Sequence, residues 1–155
     1  MILYLGTSSL VKLYVDEQYS NVLRSWARVA EILATCRIAY TEVMSALDMR
    51  LKSNDLSKED YEMVIMQISR DWEHFVKVDF NDVGAGTFVK KYGLTRFGAI
   101  QLSSAKIIKE EQRKLTPLFK TMYNDHGDMS LFFSSFDPVL CKAAQSEGLM
   151  VLPLG

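Results

Sequence analysis

The sequence predicts a single three-layer α/β domain built on a mostly parallel sheet. Three observations carry that expectation. Short apolar runs such as ILYL lack the alternation of a half-exposed strand and read as strands buried on both faces. Such runs alternate with one or more segments of helical spacing from end to end. No Gly-, Pro- or Ser-rich linker divides the 155 residues, a length that suits one core rather than two.

The elements follow in order. ILYL (2–5) is the first strand; TSSLVKLYV then begins a helix that Thr7, Ser8 or Ser9 could cap. YSNVLRSWARVA places Val22, Leu23 and Trp26 on one helical face, and EILATC is the second strand. AYTEVMSALDMRLKSN spaces Tyr40, Val43, Met44 and Leu47 as a helix, with Glu42 near its start. LSKEDYEMVIMQISRDW opens on Ser57 with Asp60 three residues on, a short-acid version of a capping box, and carries a stripe of Tyr61, Val64, Ile65, Ile68 and Trp72. HFVKVDF is a strand; Asn81 caps the next helix, DVGAGTFVKKYG, and Gly93 ends it. LTRFGAIQLSSAKIIKEEQRK is a helix with a small, apolar first half and a charged tail, after which TPLFKTMYNDHGDMS looks irregular. LFFSS is a strand, FDPVLCKAAQSEG a helix with Pro138 early in it, and LMVLPLG a last strand.

Composition narrows the function classes. With 18 basic and 19 acidic side chains the net charge is -1, so bulk charge announces no nucleic-acid partner, although a local basic surface stays open. Cys36 and Cys141, far apart in apolar surroundings, suit reduced thiols of an intracellular protein better than a zinc site. No apolar run is long enough to span a membrane, and Lys12 and Asp16 interrupt the first apolar stretch, so the expectation is a cytoplasmic protein.

In a parallel α/β sheet the loops that follow the strands gather along one edge, where ligands bind. The Gly6 turn, the start of the Glu42 helix, the start of the Gly98 helix and the Asp137 turn can meet there. Glu42 sits among Ala39, Val43 and Ala46, and a carboxylate on such a face needs donors or a cation; the plain alternative is an acid favoured by the first turn of a helix. Asp137, between LFFSS and Pro138, suits either a site or a helix cap. The hydroxyl run after Gly6 could cradle an anion or merely cap, and it lacks the glycine run and lysine of a phosphate-binding P-loop. The NDHGD stretch (124–128) supplies two acids but no EF-hand pattern, and it reads as a solvated turn with His126 at the surface; His74 reads as packing at a helix end.

Four blocks, MILYLGTSSLVKLYVDE, RIAYTEVMSAL, GLTRFGAIQLSSA and LFFSSFDPVLCKAAQSEGLMVL, in this order and spacing, resemble the PIN-domain family and, within it, the VapC-like toxins of toxin–antitoxin pairs. The resemblance covers nearly the whole chain, 1–155. It implies a PIN-like α/β/α fold and an endoribonuclease that uses Mg or Mn held by four carboxylates. It also implies a homodimer, a cognate antitoxin and an RNA substrate. On this resemblance the catalytic and metal positions are Glu42 and Asp137, with Gly6 and Gly98 standing where the family has its first and third Asp. Thr7 and Ser8 would position a phosphate or water. Gln101, where a His is common, is expected to be structural.

The two glycines lower the negative potential and remove two anchors for a hard divalent ion, which takes oxygen ligands. Each lost ligand is worth a few kcal/mol, given that even outer-shell partners cost about ten- to a hundredfold. The expectation is therefore weak or absent metal and abolished or strongly impaired cleavage. Two other outcomes stay open: a non-enzymatic antitoxin- or RNA-binding protein, and a weak Mn-dependent nuclease using Glu42 and Asp137. Arg96 and Lys12 are the RNA-contact candidates, with Arg37, Lys106 and Lys109 behind them. Tyr14, Tyr19 and Trp26 are candidates for protein contacts.

Overall fold

A computed structural model describes residues 1–123 and 129–153. The expected strands and helices are present: β1 (Ile2–Leu5), α1 (Thr7–Tyr14), α2 (Ser20–Val29), β2 (Ile32–Cys36), α3 (Ala39–Lys52), α4 (Lys58–Asp71), a 3-10 turn (Trp72–His74), β3 (Val76–Val78), α5 (Asp82–Tyr92), α6 (Arg96–Tyr123), β4 (Leu131–Ser134), α7 (Pro138–Ser146) and β5 (Met150–Val151). The five strands are all parallel, in the order β3-β2-β1-β4-β5.

Two cores explain why ILYL shows no alternation of polar and apolar residues. Ile2 and Tyr4 pack with Leu102, Phe133, Leu140 and Ala144, beneath α6 and α7. Leu3 and Leu5 pack on the opposite face with Leu10, Leu23, Val43 and Val64, beneath α1 to α4. Both faces of β1 are thus dry, and every one of its side chains must be large and apolar or have its polar atom paired.

Local signals act where expected at several termini. The Ser57 side chain accepts from Asp60 N, Asn81 accepts from Gly84 N, and Asp137 accepts from Val139 N and Leu140 N. Gly93 ends α5 at φ 64°, a conformation that glycine adopts without strain. Two expectations are corrected. The cap of α1 is Gly6, with no side-chain hydrogen bond, because the hydroxyls of Thr7, Ser8 and Ser9 are drawn into tertiary contacts instead. The long helix α6 continues to Tyr123, past Pro117, where irregular chain was expected; a proline removes one helical bond and costs about 3 kcal/mol, which a helix of 28 residues can carry. The NDHGD turn and His126 lie outside the described residues.

The strand order reverses between β1 and β4: β2 and β3 extend to one side of β1, β4 and β5 to the other. The loops that leave β1 and β4 therefore enter helices on opposite faces and part at the strand ends, where open α/β sheets leave a crevice. Gly6 and the Ser135–Asp137 turn stand at that divergence.

Candidate functional site

The crevice is built from small polar side chains, each tied to its neighbour. Ser9 and Ser134 share a buried hydrogen bond of 2.6 Å. Ser8 Oγ accepts from Phe136 N at 3.0 Å and lies 3.5 Å from Ser135 Oγ, which in turn accepts from Asp137 N at 3.1 Å. These bonds lash the β1–α1 turn to the β4–α7 turn and so hold Asp137 in place. In the sequence Ser134 and Ser135 read as the end of a strand; the signal for their role is the two hydroxyls that follow an apolar run.

Glu42 ends a second chain. Tyr4 OH donates to Gln101 Oε1 at 2.7 Å, Gln101 Nε2 donates to Thr7 Oγ1 at 3.1 Å, and the Thr7 hydroxyl donates to Glu42 Oε2 at 2.7 Å. The other carboxyl oxygen, Oε1, is buried and accepts no hydrogen bond. Burial outweighs the lowering effect of the Thr7 and Gln101 donors and holds the Glu42 carboxyl above its ordinary pKa. Gln101, 2% exposed, is more than filler: it joins β1 to α1 and fixes the direction in which Thr7 donates. Tyr4 escaped the sequence reading because a tyrosine in an apolar strand gives no hint that its hydroxyl will meet an amide 97 residues away.

Asp137 spends Oδ1 on the first two free N–H groups of α7, at 2.9 and 3.2 Å. The two glycines differ in their surroundings. A Cβ on Gly6 would stand 3.1 Å from the backbone oxygen of Ser134, on a central strand. A Cβ on Gly98 would meet only the Thr95 hydroxyl at 3.2 Å and Leu140 at 3.8 Å. Among the described residues no group of three or more His, Cys, Asp or Glu side chains could hold a metal ion.

The basic candidates separate clearly. Lys12 is turned inward: its ammonium donates to Glu17 at 2.7 Å and Gln18 O at 3.3 Å and lies 4.7 Å from the centre of the Phe136 ring. Its donors are spent on protein partners. Arg96 is exposed, stacked over the exposed Phe97 at 5.3 Å, two residues from Gly98. Arg37 pairs with Asp79, Lys106 with Glu147, and Lys109 donates to Gly148 O. Of the aromatic candidates for protein contact, Trp26 packs against Phe132 and Tyr14 is partly buried with its hydroxyl on Asp71, while Tyr19 stays 40% exposed beside Phe136. His74 is exposed in the 3-10 turn.

No family model and no curated protein matches the sequence. The comparison of structures does find matches. The PAE2754 protein of Pyrobaculum aerophilum has a TM-score of 0.59 at 16% identity, over 97% of this chain and 87% of that one. FitAcB of Neisseria gonorrhoeae has a TM-score of 0.58 at 12% identity, over 99% and 97%. The fold is PIN-like. At such low identity the likeness concerns the path of the chain. No helix among the described residues is long and apolar enough to cross a membrane.

Proposed function

We propose that this chain descends from VapC-like PIN-domain toxins and has lost, or all but lost, their metal-dependent cleavage of RNA, keeping the fold as a binding protein for an antitoxin-like partner. The observation that carries the reading is the state of Glu42. One of its oxygens is bound to the Thr7 hydroxyl, burial holds its carboxyl above the ordinary pKa, and among the described residues it joins no group of three acid, His or Cys side chains that could hold an ion.

The remaining donors point the same way. Asp137 spends Oδ1 on the helix cap, and glycine offers no side-chain oxygen at positions 6 and 98. Such a set does not fit a resident Mg or Mn ion, which prefers several carboxylate or water oxygens in regular geometry. On this reading Glu42 and Asp137 are remnants of a metal cluster, and Thr7 serves the carboxyl rather than a phosphate. Arg96 is the guanidinium assigned to any phosphate contact. The reading includes a homodimer, from the family resemblance, and a cytoplasmic location, the expectation drawn from the sequence.

The test compares this chain with its Gly6→Asp/Gly98→Asp form, by calorimetric titration with Mg²⁺ and Mn²⁺ and by cleavage of labelled tRNA and ribosomal RNA. The expected result is no measurable ion binding or cleavage by the chain as it stands, and recovery of at least ion binding in the double variant. Mn-dependent cleavage by the unaltered chain that Asp137→Asn abolishes would replace this reading with that of a weak nuclease.

A further inference from the structure

The end of the sheet opposite the Glu42 crevice holds a second concavity of about 710 Å³. Its position follows from the topology. Leu13 and Tyr14 end α1, Ala27 and Arg28 lie in the last turn of α2, Leu33 lies at the start of β2, and Phe75 immediately precedes β3. In an all-parallel sheet the strand starts lie on the edge away from the strand ends, so this trough shares no residue with the Gly6–Asp137 crevice.

Its chemistry is divided between floor and rim. Leu13, Ala27, Leu33 and Phe75 make an apolar floor. Arg24, Arg28 and Arg70 stand around it, against a single acid of the lining, Asp71. Asp71 is already shared between the Tyr14 hydroxyl at 3.2 Å and Arg70 Nε at 3.0 Å. Arg24 holds Leu13 O at 2.9 Å through Nε and pairs through Nη1 with Asp16, which is 89% exposed, a pairing of little strength. Arg28 is exposed and has no hydrogen-bond or ion-pair partner among the described residues. The Arg70 side chain is 72% exposed, leaving most of its fork of donors free.

We propose that this trough is a docking site for an acidic amphipathic peptide segment of a protein partner, its apolar side chains on the Leu13–Ala27–Leu33 floor and its carboxylates on Arg28 and Arg70. Charge complementarity selects this occupant: arginine forks take carboxylates in paired hydrogen bonds, and an apolar face flanked by acids matches a floor flanked by guanidiniums. A single-stranded nucleic acid would instead need aromatic faces open for base stacking, and Phe75 is 4% exposed. The site is independent of the state of Glu42, so it stands or falls separately from the loss of metal.

The test uses the full chain and a fluorescein-labelled peptide of about four helical turns, with Leu and Phe on one face and Glu along both flanks. Controls are the same peptide with Lys for each Glu, and an oligouridylate of about 15 nucleotides. Anisotropy is read at low and high salt, for the chain and for Arg28→Glu/Arg70→Glu, two exposed positions whose replacement is checked by thermal unfolding. The proposal expects binding of the Glu peptide alone, weakened about tenfold or more by the double charge reversal and by salt. Amide shift changes should gather at residues 13–14, 24–33 and 70–75. No binding, equal binding of the Lys peptide, indifference to the charge reversal, or RNA binding with the same arginine dependence would each overturn it.

Discussion

Replacing Glu42 by Gln should make the protein more stable at neutral pH, and the gain should vanish in acid. The variant keeps an oxygen to accept from Thr7 and removes the charge whose second oxygen is buried without a donor. An unsatisfied buried polar atom costs about 1–3 kcal/mol. Because Glu42 is only half-buried and Gln leaves its own amide nitrogen poorly paired, the low end applies, about 1 kcal/mol, or roughly 2–4 °C in Tm for a domain of this size. The sign of the pH effect follows from linkage. Burial raises the Glu42 pKa in the folded state above its ordinary value of 4.5, so above that value the folded state binds more protons than the unfolded one. Stability contributed by this group therefore falls as pH rises from 4.5 toward the folded pKa and stays low beyond it. Thermal unfolding followed by circular dichroism at pH 4 and pH 7 should show E42Q ahead of the parent at pH 7 and level with it at pH 4. Addition of millimolar Mg²⁺ should move neither curve. A variant less stable than its parent at pH 7, or a parent stabilised by Mg²⁺ while E42Q is not, would refute this account of Glu42.

The two glycines should respond oppositely to alanine in chemical denaturation. Gly6→Ala places a Cβ 3.1 Å from a central-strand carbonyl that has little freedom to move, and should cost about 1–2 kcal/mol; Gly98→Ala meets no backbone, only the Thr95 hydroxyl that accepts from Gly98 N and the Leu140 side chain, and gains helix propensity, so it should be neutral or stabilising by up to about 1 kcal/mol. Asp137→Ala removes the cap of α7 and should cost about 0.5–2 kcal/mol, whereas Asp137→Asn, which still offers an oxygen to Val139 N and Leu140 N, should stay within a few tenths in the same assay. Glu147 is held down to about 2 by hydrogen bonds from Lys106, Lys91 and Tyr92. Its contribution is present above the ordinary value of 4.5 and lost as pH falls toward 2, so acid titration of Glu147→Gln should show a shallower loss of stability than the parent across that interval.

How far the sequence could be read depended on the range of the interaction. Ser57, Asn81, Gly93 and Asp137 act within three residues of themselves, and each punctuates a helix as its type requires. The hydroxyls after Gly6 have the same local credentials, yet none caps α1. Their partners, Glu42, Ser134 and Phe136 N, arrive from 35 to 128 residues away and displace the local option. Lys12 shows the same limit: a candidate for RNA contact in the sequence, it is wrapped by folding against Glu17 and Phe136.

By itself the sequence determined the α/β layering and the doubly buried first strand, because apolar periodicity and the parallel connection rule act on patterns spread along the chain. Only the tertiary structure decided that Glu42 takes the Thr7 hydroxyl on one oxygen and buries the other, that Gly6 is packed against a carbonyl while Gly98 is not, and that three arginines ring an apolar trough at the far edge. Those outcomes depend on contacts between residues remote in sequence, and hydrogen bonding, burial and steric fit act only at the distances folding creates.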